Sequence, residues 1–428
     1  AGLAAGQRAA TLGVDFAVWE RNCSPGGCCR TFEYDGFRFD SGAHRLHERD
    51  PRLVAELQAL LKVPLRRIDS PSCILDRGRR LAFPLAPRNL LRNIGPWQAA
   101  RAAVSLAAGR LRPRRMDEPG FAVAAERAYG RYLARRFLLG YSEKLWGLPA
   151  TELSNAISGR RLRGLTLATL VTEALGGRAA GTRHLDGTFR YPQGGIGAIT
   201  DALAAGCGAR LQLGRAVVRL AHNGKRIEAL TLADGSVHCA SRFIATLPLD
   251  RLVAMLHPPP PPALLADAAT LRYRSLLLVA IQVDQPSVSP YATIYLPDPA
   301  IAITRIHEPR NRCATMAPPG RTSLVVEQPC WPGDGLWAAD EGALIAKVTG
   351  DLKRLGLLDP ARVLGAKVVR LADAYPVLHG QHEAQVGRLL SWLGRFENLQ
   401  LAGRNARFAY LSLHEAIAEG QAAVIPQG

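Results

Sequence analysis

A carboxylate that closes a short alternating run, and two adjacent glycines just after it, are the first groups in this chain able to hold an anionic cofactor. Val14 to Trp19 alternates and ends on Glu20; Gly26 and Gly27 follow, then Arg30 and Thr31. Paired glycines let backbone N–H groups approach an anion closely, and an arginine three residues on can contact a diphosphate. In a dinucleotide-binding βαβ unit the third glycine of G-x-G-x-x-G opens the helix, and an acid about 20 positions on binds the ribose hydroxyls. Gly2 and Glu20 fit those two places. The first strand and the first two glycines of such a unit would then stand ahead of residue 1, so the sequence reads as part of a longer chain.

These groups need elements to carry them. Residues 1–12 are Ala-rich and read as a helix, Gly13 stands at its natural stop, and the run to Glu20 reads as a strand. RTFEY and FRFD alternate on either side of the turn YDGF, which predicts a hairpin, and the loop continues into SGAHRLH. In YPQGGIGAI a Gly-rich turn enters a helix, and several strands follow, joined at NGK and ADGS. The proline run HPPPPPA at 257–263 is a stiff connector. Beyond it, SLLLVAIQVD and TSLVVEQPC read as strands, with a helix around Ala343 to Leu355. The tail FENLQLAGRNARFAYLSLHEAIAEGQAAV gives a strand, a Gly turn and a closing helix. Residues 85–180, rich in Ala, Leu and Arg and interrupted at Pro113 and Pro119, read as an inserted helical region. No internal repeat is present.

At 428 residues, 48% apolar and 21% charged, the composition is that of a globular protein of two to three domains. No run of apolar residues is long enough to predict a transmembrane helix. The net charge of +18 is carried by arginine, with only 6 lysines, and is spread along the chain. No helix-turn-helix, finger spacing or stacking motif accompanies it, so nucleic acid is not the expected partner; a small anionic substrate suits the charge better. None of the eight cysteines forms a C-x-x-C pair, so no metal is expected and a reducing compartment is the default. Cys28 and Cys29 follow the paired glycines, where a redox role is conceivable; small residues packed against a ligand is the preferred reading.

The order Gly2, Glu20, Gly26-Gly27, SGAHR, YPQGGIGAI and LAGRN before the last helix resembles the FAD-containing amine-oxidase-like superfamily, which includes protoporphyrinogen oxidase, phytoene desaturase and UDP-galactopyranose mutase. The resemblance covers essentially the whole chain. It implies an α/β fold: a Rossmann-like FAD-binding domain with a parallel sheet, helices and a β-meander, plus inserted helical and β-sheet substrate-binding regions. The FAD domain would be assembled from residues 1–80, 187–255 and 395–428, with 85–180 the helical insertion and 256–394 the substrate-binding sheet. Glu20 would bind the adenosine ribose, and Gly26, Gly27 and Arg30 the diphosphate. Gly42, Ala43 and His44 would lie beside the isoalloxazine ring, and Val217 would meet adenine through its backbone. Gly403 would bring backbone to the second phosphate and ribityl chain, with Ala416 and Ile417 on the helix whose N-terminal end points at the flavin. His44 has two readings, catalytic or orienting its loop.

Within that superfamily FLLGYSEKLWGLPATEL is similar to the segment lining the substrate cleft of the mutases and their protoporphyrinogen-oxidase-like relatives, with Tyr141, Lys144 and Trp146 at the matching positions. Arg305, Arg404 and Tyr410 match residues that hold the substrate diphosphate in the mutases, and two guanidinium groups with a phenol make a compact phosphate clamp. The chain also departs from the mutase pattern. Ser412, Leu413 and His414 stand where two acids flank a Met, Ala409 replaces an arginine, and Gln328 stands about where a tyrosine is expected. The expected function is therefore an FAD-dependent oxidoreductase that moves hydride from a substrate carbon to flavin N5. The alternatives are a mutase-like isomerase working on a nucleotide-sugar with reduced flavin, and a degenerate scaffold without catalysis. The partner expected is a small molecule, and the expected location is the cytoplasm, with peripheral contact at the inner membrane left open.

Overall fold

The computed structural model describes residues 1–48, 50–83, 85, 87–111, 120–158 and 189–424. The expected helical insertion therefore falls partly outside the described residues, including Pro113, Pro119 and all of 159–180. Its described part is the helices Pro87–Ile94, Pro96–Leu111, Phe121–Leu133 and Gly140–Trp146, the last two joined through a π-helical stretch, Ala134–Leu139.

The chain is α/β. The helix Gly2–Thr11 packs against the helices Gly197–Cys207 and Leu413–Ala422. Around it lie two parallel strand pairs, Val18–Glu20 with Leu211–Leu213, and Phe243–Ala245 with Leu399–Leu401. The first strand is shorter than the alternation from Val14 predicts. Val217–His222, Ile227–Leu232 and Val237–His238 form an antiparallel meander through the NGK and ADGS turns, and Leu256–His257 adds a parallel edge.

A seven-stranded sheet makes the second layer. Its centre is Tyr273–Val283, buried along all eleven residues and paired on both edges, with Thr322–Cys330 and with Val363–Pro376. A continuous apolar run such as YRSLLLVAIQV needs cover on both faces. One face carries Leu277, Val279, Leu324 and Val326 toward the helix Glu341–Arg354. The other carries Leu276, Leu278, Val325 and Leu371 toward Phe39 of the first region.

Two segments sit elsewhere than the expected domain limits. The hairpin Ser72–Asp76 and Arg79–Phe83, whose first strand lies within the expected limits 1–80 of the FAD domain, joins the seven-stranded sheet through Thr293–Tyr295. All five residues of Ser72–Asp76 are buried, which demands a partner on each edge. The helix His382–Leu393, assigned to the substrate region, buries Leu389 and Leu393 in one core with Leu220, Leu230 and Leu252 of the meander side.

Candidate cofactor and substrate site

The predicted hairpin Thr31–Tyr34 with Phe37–Asp40 forms in register, Thr31 opposite Asp40. Its turn residues Asp35 and Gly36 both take positive φ, the geometry of a type I′ turn. The buried Asp40 ties this hairpin to the strand Phe189–Pro192 and the helix after it. Oδ1 accepts from Thr31 Oγ1 at 2.8 Å and from Ile196 N at 3.1 Å, and Oδ2 accepts from Tyr191 Oη at 2.5 Å. Burial raises the Asp40 pKa, while Tyr191, Arg312 and Thr31 hold it back. The glycines of YPQGGIG make this contact sterically possible, since a Cβ on Gly197 would stand 2.6 Å from Thr31 N.

The loop from Ser24 to Arg30 is clasped from two sides. Ser41 accepts from Arg30 N at 2.9 Å and donates to Cys28 O at 2.8 Å; Thr200 donates to Cys29 O at 2.9 Å. Gly26 and Gly27 take φ of 102° and 57°, and no atom lies within 4 Å of a Cβ on Gly27. Arg30 gives Nη1 to Ser24 Oγ, and among the described residues its buried Nε has no partner. A buried guanidinium N–H without an acceptor, next to open glycine backbone, fits a cofactor diphosphate.

Some of the residues expected at the cofactor lie near this loop. Ala1, preceding Gly2, lies against Gly403 and Gly420, and Gly403 N donates to Glu419 at 2.9 Å. Arg404 lies close enough to Cys28 for its charge to oppose the rise that burial imposes on that thiol. Glu20 accepts from Asn22 N at 2.9 Å through Oε1, and its carbonyl accepts from Arg215 N, which puts Val217 two residues from that junction. Ile417 is buried beside Ala4 and Ile199, while Ala416 is half-buried on the same helix. Burial pushes the Cys29 thiol up to about 12, so Cys29 is a packed small residue and no thiolate.

Across the sheet, Glu327 organises the cleft. It is fully buried; Oε2 accepts from Arg305 Nε at 2.7 Å and Oε1 accepts from Ala43 N at 2.8 Å. One carboxylate thus fixes both the Gly42–His44 turn and Arg305. Arg305 Nη2 also donates to Tyr375 Oη at 3.0 Å. Tyr375 stacks with Tyr410 at 6.3 Å between centroids, and Arg404 lies over both rings, at 5.3 and 5.1 Å. Arg305, Arg404 and Tyr410, chosen from separated segments, are therefore brought together, with Tyr375 as the link. His44 faces the same groups. Its Nε2 is 3.2 Å from Ser41 Oγ, and burial together with Arg404, Arg312 and Arg305 pulls its pKa down to about 3. It is a neutral imidazole at physiological pH.

Several expectations need correction. Lys144 does not face the cleft: Nζ donates to the carbonyls of Leu296, Asp298, Ile301 and Ile303 at 2.7–2.9 Å, which commits all three ammonium hydrogens to one loop. Trp146 is 3% exposed and stands edge-on behind Tyr375 and Tyr410, a backing wall and no lining group. Tyr141 does reach the cleft, where it meets Tyr295 and lies within electrostatic range of Arg305. Gln328 does not stand in the tyrosine's place. Strand alternation puts it on the Val326 face, away from Arg305; a tyrosine that does reach Arg305 is Tyr375, on the long strand Val363–Pro376 beyond the central one. Ser412 is a helix N-cap in a capping box with Glu415.

Sequence reasoning missed Asp40, Glu327, Arg312 and Tyr375. Glu327 had a signal, a lone acid inside the apolar run TSLVVEQPC; a charge there is kept only where a partner meets it. Tyr375 had none, because its partners Arg305 and Arg404 lie about 70 and 30 positions away.

A Glu-terminated strand, a glycine loop and a helix N-terminus meeting beneath a sheet-walled cleft define a dinucleotide-cofactor enzyme fold. A family model described as flavin containing amine oxidoreductase matches residues 1–424, and the chain belongs to that family. Solved structures agree on the fold. A reduced UDP-galactopyranose mutase superposes with a TM-score of 0.83 at 21% identity, over 99% of this chain and 92% of that one. A protein of Exiguobacterium sp. 255-15, provisionally named a protoporphyrinogen oxidase, gives 0.76 at 18% identity, over 99% and 95%. Wild-type putrescine oxidase bound to putrescine gives 0.64 at 15% identity, over 99% and 95%. Among the described residues no helix is long and apolar enough to cross a membrane.

Proposed function

We propose that this flavin-family enzyme is an FAD-dependent oxidoreductase acting on a small molecule held between the Gly42–His44 turn and the tyrosine pair. Glu20 and the backbone at Val217 would hold the adenosine, Gly26, Gly27 and Arg30 the diphosphate, and Gly403, Ala416 and Ile417 the second phosphate and ribityl end. Bound there, FAD supplies the acceptor for a hydride leaving a substrate carbon. The chain's own part is to orient that carbon and exclude water. Tyr375 and Tyr410, backed by Trp146, wall the cleft, while Glu327 locks the turn that carries His44. A neutral His44 can accept a hydrogen bond from substrate without adding positive charge to the cleft.

The observation that carries this reading over a phosphate clamp is the Arg305–Glu327 pair. Arg305 is compensated inside the protein, so burying it requires no anionic ligand. One observation favours the mutase-like reading: among the described residues no carboxylate pairs with Arg404, whose bonds run to the carbonyls of Leu411 and Ala374.

Three measurements separate these readings from each other and from a scaffold without catalysis. The full chain should purify yellow or take up FAD. Glu20→Ala should weaken that binding by about 1.5–3 kcal/mol, the worth of a charge-assisted hydrogen bond. Under anaerobic conditions an oxidoreductase substrate bleaches the flavin absorbance. Conversion of UDP-galactopyranose to its furanose form by dithionite-reduced protein would overturn the ranking, and a colourless protein that binds no FAD would overturn both enzyme readings.

A further inference from the structure

Residues 77–116 contain ten arginines and no acidic residue or lysine. In the middle of this stretch the helix Pro96–Leu111 is apolar on two sides. Ala102 and Leu106 face inward and pack with the neighbouring helices. Trp97 and Val104 face outward, 75% and 70% exposed, with Ala100, Ala107 and Ala108 exposed along the same stripe. A surface helix normally turns polar residues to water, so a tryptophan and a valine two turns apart form an apolar ridge that has no partner among the described residues. Beside the ridge runs an open groove of about 900 Å³, whose lining includes Arg77, Arg101, Arg131 and Arg135, all exposed. The carboxylates at this face have cationic partners: Asp76 pairs with Arg136, Glu126 lies against Arg131 and Arg135, and Asp298 lies within electrostatic range of Lys144. The face is therefore both basic and apolar.

We propose that the chain docks peripherally on an anionic lipid bilayer through this face, with Trp97 and Val104 entering the headgroup region and Arg77, Arg101, Arg131 and Arg135 on lipid phosphates. An amphipathic helix binds a bilayer interface by combining buried apolar area with attraction to anionic headgroups, and tryptophan is favoured at that depth. Nucleic acid is the other polyanion that would meet four arginines. It gains little from an alanine and valine ridge and needs a series of aromatic platforms, whereas this ridge offers one.

The test is flotation of the full chain with phosphatidylcholine vesicles, with and without about 30% phosphatidylglycerol. Anionic vesicles should bind at least about tenfold better than neutral ones, and less well in about 0.5 M salt. The double variant Trp97→Ser, Val104→Ser should lose about tenfold or more of that binding while its thermal midpoint is unchanged, both side chains being exposed. Should the variant misfold, bromine-labelled lipid decides the matter in the wild-type chain, where quenching should exceed that of Trp97→Phe. Equal binding by the double variant, absence of binding to anionic vesicles, or displacement of vesicles by duplex DNA or RNA would each overturn the proposal.

Discussion

Glu327 is the residue on which the cleft depends most, because its two oxygens serve two different elements. Removing one member of a buried ion pair leaves the other charged and uncompensated, at a cost of about 3–5 kcal/mol. Glu327→Gln should therefore lower the thermal midpoint strongly. It should also bind inorganic phosphate or UDP more tightly than wild type, since Arg305 then lacks its carboxylate. A variant as stable as wild type and indifferent to anions would remove the pairing argument. His44 gives a pH prediction of definite sign. Its folded pKa of about 3 lies below the unfolded value near 6.5, so the stability it contributes is complete above pH 6.5 and is lost as pH falls toward 3. His307, fully buried with its pKa also lowered, acts in the same direction. The wild-type thermal midpoint should decline below pH 6.5, and His44→Asn should make that decline shallower. A kcat profile with a limb assigned to His44 between pH 5 and 9 would contradict its neutral state.

Helices, strands and turns hold these residues by close approaches and caps that single substitutions can probe. Gly197 opens a helix against Thr31, where a methyl group would meet backbone nitrogen as well as the hydroxyl. Overpacking of this kind costs about 1–3 kcal/mol. Gly197→Ala should lower the midpoint and loosen flavin uptake together, because the Asp40 contacts run through the same turn. The last helix begins with Ser412, whose capping box satisfies two helix-terminal N–H groups. Ser412→Ala should cost about 0.5–2 kcal/mol, measured by chemical denaturation. A cost near zero would mean that packing of Ile417 alone holds the helix.

For the molecule as a whole, Lys144 joins the helical region to the seven-stranded sheet. Its ammonium gathers four carbonyls of residues 296–303, the loop between the strand of Tyr295 and the strand of Arg305. Burial pulls its pKa down to about 8, with Asp298 opposing the fall. Lys144→Met removes the shared donor from four part-buried carbonyls, at about 1–3 kcal/mol for each one left unpaired. Lys144→Arg replaces a compact ammonium with a planar fork that does not converge on four acceptors. Both variants should lower the midpoint and raise KM more than they reduce kcat, because Tyr295 and Arg305 move with the loop. An unchanged midpoint in Lys144→Met would show that the loop stands without the clasp.

What the sequence determined by itself was local: the hairpin at YDGF, the helix stop at Gly13, the meander turns and the ordered glycines that led to the flavin family. Each is written in residues adjacent in the chain, where turn chemistry and side-chain period act directly. Even the convergence of Arg305, Arg404 and Tyr410 was approached through motif order. The tertiary structure alone decided which charges remain available for a ligand. Lys144 looks like a substrate cation in GYSEKLWG until a loop about 150 positions away takes its hydrogens. Arg305 looks like a phosphate anchor until Glu327, opposite it in the sheet register, neutralises it. Residue type sets whether a group can be charged; the partner that a fold brings within hydrogen-bond reach sets what the charge is free to do.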